Sequence, residues 1–289
     1  MTTNSPVSVA VDGSGHALEA VRWAAKAAQR LGRRLDVVTV LTSASPTFGR
    51  LSMQSDEAAL AAAREAAEAT ATAAEQLALS VADVTVAKQV IEGKPGLVLR
   101  DVSTRSHLLV LGRRGLGGVK GLLLGSVSTD LVAHSECPTV VVSTGAAKDS
   151  GPVVVGIDGS AVSTEALNQA FASAASMKAP LRVIHSFGGF TDEVFHGYSG
   201  QALENLRVNA NIAIESQVAD AAEKYPEVEV EIVLTTEAPA EHISGLSDTA
   251  QLIVVGTRGR GGFRGLALGS TSQAILHVAE CPVMVVQNH

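Results

Sequence analysis

The sequence contains few cysteines and few aromatic residues, and each shortage excludes a class of protein. Two cysteines among 289 residues cannot form the disulfide framework of a small secreted domain, and they favour a reducing, cytoplasmic location. Aromatic residues make up 3% of the chain, too few for a platform on which single-stranded nucleic acid stacks. We therefore expect small-molecule or protein partners rather than nucleic acid.

Basic residues are also in the minority. Lysine and arginine together number 22 against 29 acidic residues, which gives a formal net charge of -7. Proteins that bind nucleic acid are usually basic, because neutralising phosphates supplies most of their affinity. The acidic excess is a second argument against a nucleic-acid partner.

Long apolar runs are absent as well. No stretch reaches the roughly 20 apolar residues of a membrane-spanning helix, so we expect no membrane association. Residues 1–6 are largely polar and lack the basic segment and apolar core of a signal peptide. The chain is nevertheless 46% apolar and only 18% charged, a composition that builds packed globular cores.

The most informative feature that is present is an internal duplication. The segment VSVAVDG at 7–13 recurs as VVVGIDG at 153–159. The segment GRRGLGGVKGLLLGSVS at 112–128 recurs as GTRGRGGFRGLALGSTS at 256–272, with 11 of 17 positions identical. A repeat unit of about half the chain indicates domain duplication rather than a solenoid.

The boundary between the copies falls in a small, polar segment at about 143–151, STGAAKDSG. We predict a first domain over 1–144 and a second over 151–289. Nearly continuous apolar runs rich in Val, Leu and Ile are typical of parallel strands that are buried on both faces. The predicted strands lie near residues 7–12, 35–41, 84–91, 107–112 and 138–143, and near residues 152–158, 181–186, 228–234, 251–256 and 282–287.

Helical patterns separate these strands in each copy. Five strands alternating with helices predict an α/β fold of two tandem doubly wound domains, each with a five-stranded parallel sheet. In such sheets, ligands bind beyond the carboxyl ends of the strands, where the strand order reverses. Asp12 and Gly13 follow the first strand of the first copy, and Asp158 and Gly159 follow that of the second.

A glycine loop follows the fourth strand of each copy with the spacing G-x2-G-x9-G-S. Its fixed positions are Gly112, Gly115, Gly125 and Ser126 in the first copy and Gly256, Gly259, Gly269 and Ser270 in the second. Glycines let backbone N–H groups approach an anion, and the closing pair begins a helix whose positive end faces the loop. We expect Ser126 and Ser270 to cap that helix and to donate to a phosphate, with Ser128 and Ser272 in the same first turn.

Other readings of the loop are weaker. A single glycine pattern often marks only a turn, but here the same spacing follows the equivalent strand twice. The spacing is not that of a Walker A loop, nor is it the G-x-G-x-x-G fingerprint of dinucleotide-binding dehydrogenases. The sequence therefore favours a different phosphate-binding loop in each copy.

With these motifs, both halves resemble universal stress protein domains of the ATP-binding subgroup. The resemblance implies a flavodoxin-like or Rossmann-like sheet, with Asp12 and Asp158 near the nucleoside end of ATP. It implies that the ends of the second strands, around Val40 and Ser186, offer backbone groups to the adenine, and that Mg2+ accompanies the phosphates. The binding residues that it implies are Asp12, Gly13, Val40, Gly112, Arg113, Arg114, Gly115, Gly117, Gly118, Gly125, Ser126, Val127, Ser128, Asp158, Gly159, Ser186, Gly256, Thr257, Arg258, Gly259, Gly261, Gly262, Gly269, Ser270, Thr271 and Ser272.

The second copy departs from the family pattern after its third strand. The first copy has Gly93-Lys94-Pro95, which resembles the family's Gly-x-Pro turn, whereas the second has Glu237-Ala238-Pro239. We expect Ala238 to restrict the backbone there, so that the second pocket is not identical to the first.

No catalytic constellation emerges from the remaining residues. Asp12 and Asp158 are candidate general bases, but a lone carboxylate at a strand end more often orients a ligand. Arg114, Arg258 and the matched Lys120 and Arg264 are candidates for phosphate contacts, or are solvated loop residues. Cys137 and Cys281 occupy equivalent positions, which favours a packing role over a redox-sensing one.

Two phosphate loops without an evident catalytic constellation, together with the resemblance, favour an ATP-binding stress-response regulatory protein over an enzyme. It would have one nucleotide site per domain and an unknown protein partner. A slow Mg-dependent ATPase or phosphotransferase, or a relative that binds cyclic AMP, remains an alternative at this stage. The apolar last strands, at 139–142 and 283–286, predict edges that pair. With the family's mode of association, they predict an intrachain pseudo-dimer and, beyond it, a homodimer.

Overall fold

A computed structural model describes residues 5–42, 53–116, 124–187, 200–259 and 268–287 of the chain. The chain divides into two compact units, Met1–Gly145 and Ala146–His289, which are called the first and second domains below. Within the described residues, each domain contains five strands and four helices in strict alternation.

The first domain consists of β1 (Val7–Val11), α1 (Gly15–Leu31), β2 (Leu35–Leu41), α2 (Met53–Val81), β3 (Val86–Glu92), α3 (Pro95–Arg105), β4 (Leu108–Gly112), α4 (Ser126–His134) and β5 (Thr139–Val142). The second domain consists of β6 (Val153–Ile157), α5 (Ala161–Met177), β7 (Leu181–Ser186), α6 (Gly200–Ala222), β8 (Val230–Thr235), α7 (Pro239–Gly245), β9 (Leu252–Gly256), α8 (Ser270–Val278) and β10 (Val283–Val286).

All neighbouring strands within each domain are parallel. The strand order is β3-β2-β1-β4-β5 in the first domain and β8-β7-β6-β9-β10 in the second. This is the order of the first five strands of a Rossmann sheet. The predicted fold, two tandem doubly wound domains with five-stranded parallel sheets, is therefore confirmed. The order reverses between β1 and β4, and between β6 and β9, so a crevice opens at the carboxyl ends of each pair.

Helices cover both faces of the first sheet, which explains why its strands are apolar throughout. Helix α1 packs beside α2, and α3 packs beside α4. The alanines Ala20, Ala24 and Ala28 lie one turn apart on α1 and are fully buried, so that the helix approaches β1 and β4 closely. Among the helices that the structure describes, none combines the length and the apolar character needed to cross a bilayer.

The two cysteines lie just before the last strand of each domain, inside the core. Cys137 and Cys281 are free thiols with relative exposures of 0% and 2%. Burial disfavours the thiolate and raises the pKa of each thiol to about 12. This environment suits packing and leaves almost no thiolate at neutral pH.

We therefore predict that both thiols are silent towards a thiol reagent in the native protein. At pH 8, an aromatic disulfide reagent should release no chromophore before denaturation and two equivalents per chain after it. Stoichiometric labelling of the folded protein within minutes would contradict the buried placement of these side chains.

Candidate functional site

A cleft of about 260 Å³ opens at the carboxyl ends of β1, β2 and β4 in the first domain. Its volume lies close to the lower limit of about 300 Å³ for small-molecule sites. The strand ends, the loop after β4 and the starts of α1, α3 and α4 supply its lining, which comprises Ala10, Val11, Asp12, Ala17, Val38, Val40, Pro95, Leu99, Leu111, Gly112, Arg114, Gly115, Gly125, Ser126, Val127 and Ser128.

One end of this cleft is apolar. The buried side chains Val38, Leu99 and Leu111 belong to the core cluster beneath α3 and α4. The half-buried Val40 and Val127 pack against that cluster and line the cleft. The core therefore continues into the cleft wall and presents alkyl groups to any ligand there.

The other end is built from backbone, and Asp12 fixes its geometry. The N–H of Leu116 donates to Asp12 Oδ2 across an N···O distance of 2.8 Å. The N–H of Ser14 donates to Asp12 Oδ1 at 3.0 Å. Because charged acceptors form the stronger hydrogen bonds, this carboxylate ties the start of the glycine loop to the end of β1.

Ser14 makes a second connection between the same two segments. Its Oγ accepts from the N–H of Ala17 at 3.2 Å and so caps α1. The same hydroxyl donates to the carbonyl of Arg114 at 3.1 Å. The sequence analysis assigned no role to Ser14. The signal that could have revealed it is a serine directly before a helical pattern.

The glycine loop closes on the first turn of α4. The N–H of Gly125 donates to the carbonyl of Arg113 at 3.0 Å, and the buried Ser128 hydroxyl donates to that of Gly112 at 2.9 Å. Ser128 therefore holds the loop in place. Its hydroxyl proton is directed at the protein backbone.

The expected capping by Ser126 and Ser270 is wrong. The N-cap residues are Gly125 and Gly269, with extended backbones (φ -71°, ψ 152° and φ -72°, ψ 153°), and neither helix has a side-chain cap. Ser126 and Ser270 are the first helical residues instead. Because glycine has no side chain to accept these N–H groups, the first turns of α4 and α8 remain uncapped by side chains and face the loop.

Two glycines of the first loop are required by close contacts. A Cβ on Gly115 would collide with Asp12 Oδ2, and one on Gly112 would lie 2.7 Å from the carbonyl carbon of His16. Any other residue at either position would displace the loop from β1 or α1. The predicted site residues Gly117, Gly118, Gly261 and Gly262, together with Lys120 and Arg264, lie outside the described residues.

The two arginines of the first loop point in different directions. Arg114 lines the cleft, whereas Arg113 donates from a terminal guanidinium nitrogen to Ser143 Oγ at 3.2 Å.

The neighbouring His16 accepts from the N–H of Thr144 on Nδ1 at 3.1 Å, so this nitrogen carries no proton. Burial, and then the charges of Arg114 and Arg113, lower the pKa of His16 below its ordinary value.

The second domain repeats the backbone ties. The N–H of Ser160 donates to Asp158 Oδ1 at 3.0 Å, and a Cβ on Gly259 would collide with Asp158 Oδ2. The equivalent loop closures are also present, from Gly269 N–H to the carbonyl of Thr257 at 2.7 Å and from Ser272 Oγ to that of Gly256 at 2.6 Å. The structure thus brings the predicted Asp158, Gly256, Gly259, Gly269 and Ser272 together at the carboxyl ends of β6 and β9.

The remaining predicted residues of the second domain sit around this cluster. Gly159 follows Asp158 with φ 77°, just as Gly13 follows Asp12 with φ 85°. Arg258 lies beside the end of the loop, since its Cα is 3.4 Å from the position that a Cβ on residue 269 would take. Thr271 is the half-buried second residue of α8, and Ser186 ends β7.

The restriction expected from Ala238 is wrong. Ala238 is the N-cap of α7 with φ -58°, an ordinary conformation, and Lys94 occupies the same place before α3. The difference lies one residue earlier, where Gly93 has φ 150°, a value that favours glycine. Glu237 replaces this glycine, and positive φ among the described non-glycine residues occurs only at Lys178.

Sequence reasoning missed the apolar lining of the cleft. The residues Ala10, Val38 and Leu111 lie on β1, β2 and β4, and Leu99 lies on α3; in the sequence they are indistinguishable from ordinary core residues. The available signal was position, because apolar strands that end at the crevice contribute side chains from their carboxyl-terminal halves.

We predict that Asp12→Ala loosens the loop without unfolding the domain. Losing a charged acceptor should speed hydrogen exchange of the Leu116 amide by about tenfold, the factor that corresponds to one hydrogen bond of ordinary net strength. Mass spectrometry of exchanged peptides measures this rate. Asp12→Asn keeps one acceptor oxygen and should show a smaller increase. An unchanged rate in Asp12→Ala would contradict the proposed tie.

Comparison with known proteins agrees with the duplication. The sequence profile of the universal stress protein family matches residues 3–143 and, a second time, residues 150–287. Universal stress protein Rv1996 of Mycobacterium tuberculosis is 32% identical over 303 residues, covering 99% of this chain and 96% of the relative. Universal stress protein Rv2623 of the same organism is 30% identical over 292 residues, covering 97% and 96%.

A solved structure shares the fold over nearly the whole chain. The crystal structure of a universal stress protein from Archaeoglobus fulgidus superposes with a TM-score of 0.68 at 21% identity, covering 99% of this chain and 97% of that one. Two matches to one family profile and relatives of similar length lead to the same conclusion. The chain belongs to the universal stress protein family, as a tandem protein with two such domains.

Proposed function

We propose that this protein is an ATP-binding regulatory protein of the stress response, with one nucleotide site in each domain. The observation that carries the proposal is the cleft of the first domain. There an apolar wall stands opposite a glycine loop that leads into an uncapped helix N-terminus. Such a helix start attracts anions through its N–H groups and its dipole.

The residues of the cleft fit the two ends of a nucleoside triphosphate. The loop from Gly112 to Gly115 and the first turn of α4 would hold the phosphates, with Arg114 adding positive charge. The alkyl groups of Val40 and Val127 would contact the adenine. Asp12 is the only carboxylate in the described lining, so Mg2+ would take most of its ligands from phosphates and water.

A regulatory role is supported by what Asp12 does in the structure. Both of its carboxylate oxygens accept backbone N–H groups, so it serves the shape of the loop. Nucleotide occupancy would then act through the conformation of the loop or the choice of a protein partner.

We predict that ATP binds with up to two sites per chain and that Gly115→Ala with Gly259→Ala removes both. Each new Cβ would collide with the aspartate that ties the loop, which displaces the N–H groups meant for phosphate. Isothermal titration calorimetry with MgATP should show at least a hundredfold loss of affinity, roughly 3 kcal/mol. Gly245→Ala is the matched control, because nothing lies within 4 Å of its Cβ position.

Wild-type protein that binds no ATP and carries no co-purified nucleotide would overturn the proposal. Phosphate release that the double variant abolishes would instead favour the slow ATPase. Cyclic AMP offers a single phosphodiester to a loop suited to several phosphates. It should therefore compete poorly, and a preference for cyclic AMP over ATP would contradict the assigned ligand.

A further inference from the structure

The two domains differ at the end of the cleft that the proposed function assigns to the base. Equivalent positions of the duplicated fold carry alkyl groups or glycine in the first domain and polar side chains in the second. The pairs are Val40 with Ser186, Gly93 with Glu237, Val98 with His242, and Val127 with Thr271.

Three of these polar residues form one hydrogen-bonded network. Ser186 Oγ donates to the carbonyl oxygen of Glu237 at 2.6 Å, and Glu237 Oε2 lies 2.7 Å from His242 Nδ1. The N–H of Glu237 donates to Thr235 Oγ1 at 3.1 Å. The network connects the end of β7 with the turn after β8 and with α7, the elements that correspond to the base end of the first cleft.

The first domain has a different local packing at the same place. Gly93 has φ 150°, and a Cβ added to it would lie 2.8 Å from Val98 Cγ2. A side chain such as that of Glu237 therefore fits only where the valine and the glycine conformation are both absent. The polar residues of the second domain hydrogen-bond to one another, and Glu237 requires the absence of the valine. They therefore form one local structure and are not independent surface substitutions.

The residue on the first strand beneath this region also differs between the domains. Gly156 stands where the first domain has Ala10, and Ile243 Cδ1 lies 2.7 Å from the position that a Cβ of residue 156 would take. Ile243 therefore fills the space of the alanine methyl group. The second domain differs in both the shape and the polarity of this end.

This difference should weaken the binding of a purine base in the second domain. An apolar wall binds the flat face of adenine by removing alkyl surface from water, and each methylene-sized contact that is lost weakens binding about fourfold. Ser186 carries one hydroxyl where Val40 has two methyl groups, and Thr271 replaces one methyl group of Val127 with a hydroxyl. One lost contact at each of the two positions corresponds to roughly fifteenfold in total.

We propose that the two nucleotide sites are unequal, with the first domain binding ATP about fifteenfold more tightly, and that the Ser186–Glu237–His242 network and Thr271 together set the weaker affinity of the second. This inference rests on the proposed function and adds the order in which the sites fill. At intermediate ATP concentrations the chain carries one nucleotide, in the first domain.

Single loop variants separate the two sites. Gly115→Ala and Gly259→Ala are matched, because each new Cβ would meet the equivalent aspartate oxygen. In calorimetric titrations with MgATP, Gly115→Ala should remove the tighter class of site and Gly259→Ala the weaker. Two equal sites, or a tighter site that survives Gly115→Ala, would overturn this inference alone. Absence of all binding would overturn the proposed function as well.

A second experiment assigns the difference to the network. In the Gly115→Ala background, Ser186→Val with Glu237→Gly and His242→Val restores the residues of the first domain. The affinity of the remaining site should rise by about fourfold, because Thr271 is unchanged in this variant. Circular dichroism and the melting temperature report whether the variant is folded, and Ser186→Val alone is measured if the triple variant melts early. An unchanged affinity in a folded variant would overturn the role of the network.

Discussion

The contact between an aspartate at the end of the first strand and the backbone of the glycine loop determines the rest of the site. In the first domain, Asp12 accepts the N–H of Leu116 at 2.8 Å, and the space beside it excludes any side chain on Gly115. The second domain keeps the same close approach between Asp158 and Gly259. Because the loop is held against the strand, the helix that follows begins at the crevice and directs its first N–H groups into it.

This arrangement divides each site into two parts with different physical origins. The end proposed to hold phosphates consists mainly of backbone, so its chemistry depends on loop geometry, and its closing hydrogen bonds from Gly125 and Ser128 recur at Gly269 and Ser272. The end proposed to hold the base consists of side chains from strand ends and from the helix after the third strand, so it changes with composition. Val40 packs against the core cluster of the first domain, whereas Ser186 donates to the carbonyl of Glu237 in the second.

The sequence predicts those features of the structure that local interactions determine, and it fails for those that depend on backbone angles or tertiary contacts. The strands, the helices and the doubly wound fold are encoded in local apolar patterns, and the glycine spacing marks the loop. The helix caps were misassigned because glycine and serine both suit an N-cap, and only the backbone angles of Gly125 decide between them. The altered turn was placed at Ala238 because a sequence does not show that Gly93 has φ 150°. The cleft lining escaped prediction since Leu99 and Leu111 also serve the core.

The steric exclusion at Gly115 has an evolutionary consequence. A side chain on residue 115 would displace Asp12, so this position accepts only glycine for as long as the aspartate is kept. A gene duplication followed by drift would therefore leave this pair nearly frozen in both copies. Substitutions would accumulate among the surrounding side chains, where a single replacement leaves the fold of the loop intact. Under the proposed function, divergence between tandem copies of this architecture would fall on the residues that contact the base, while both copies would keep the loop that holds phosphate.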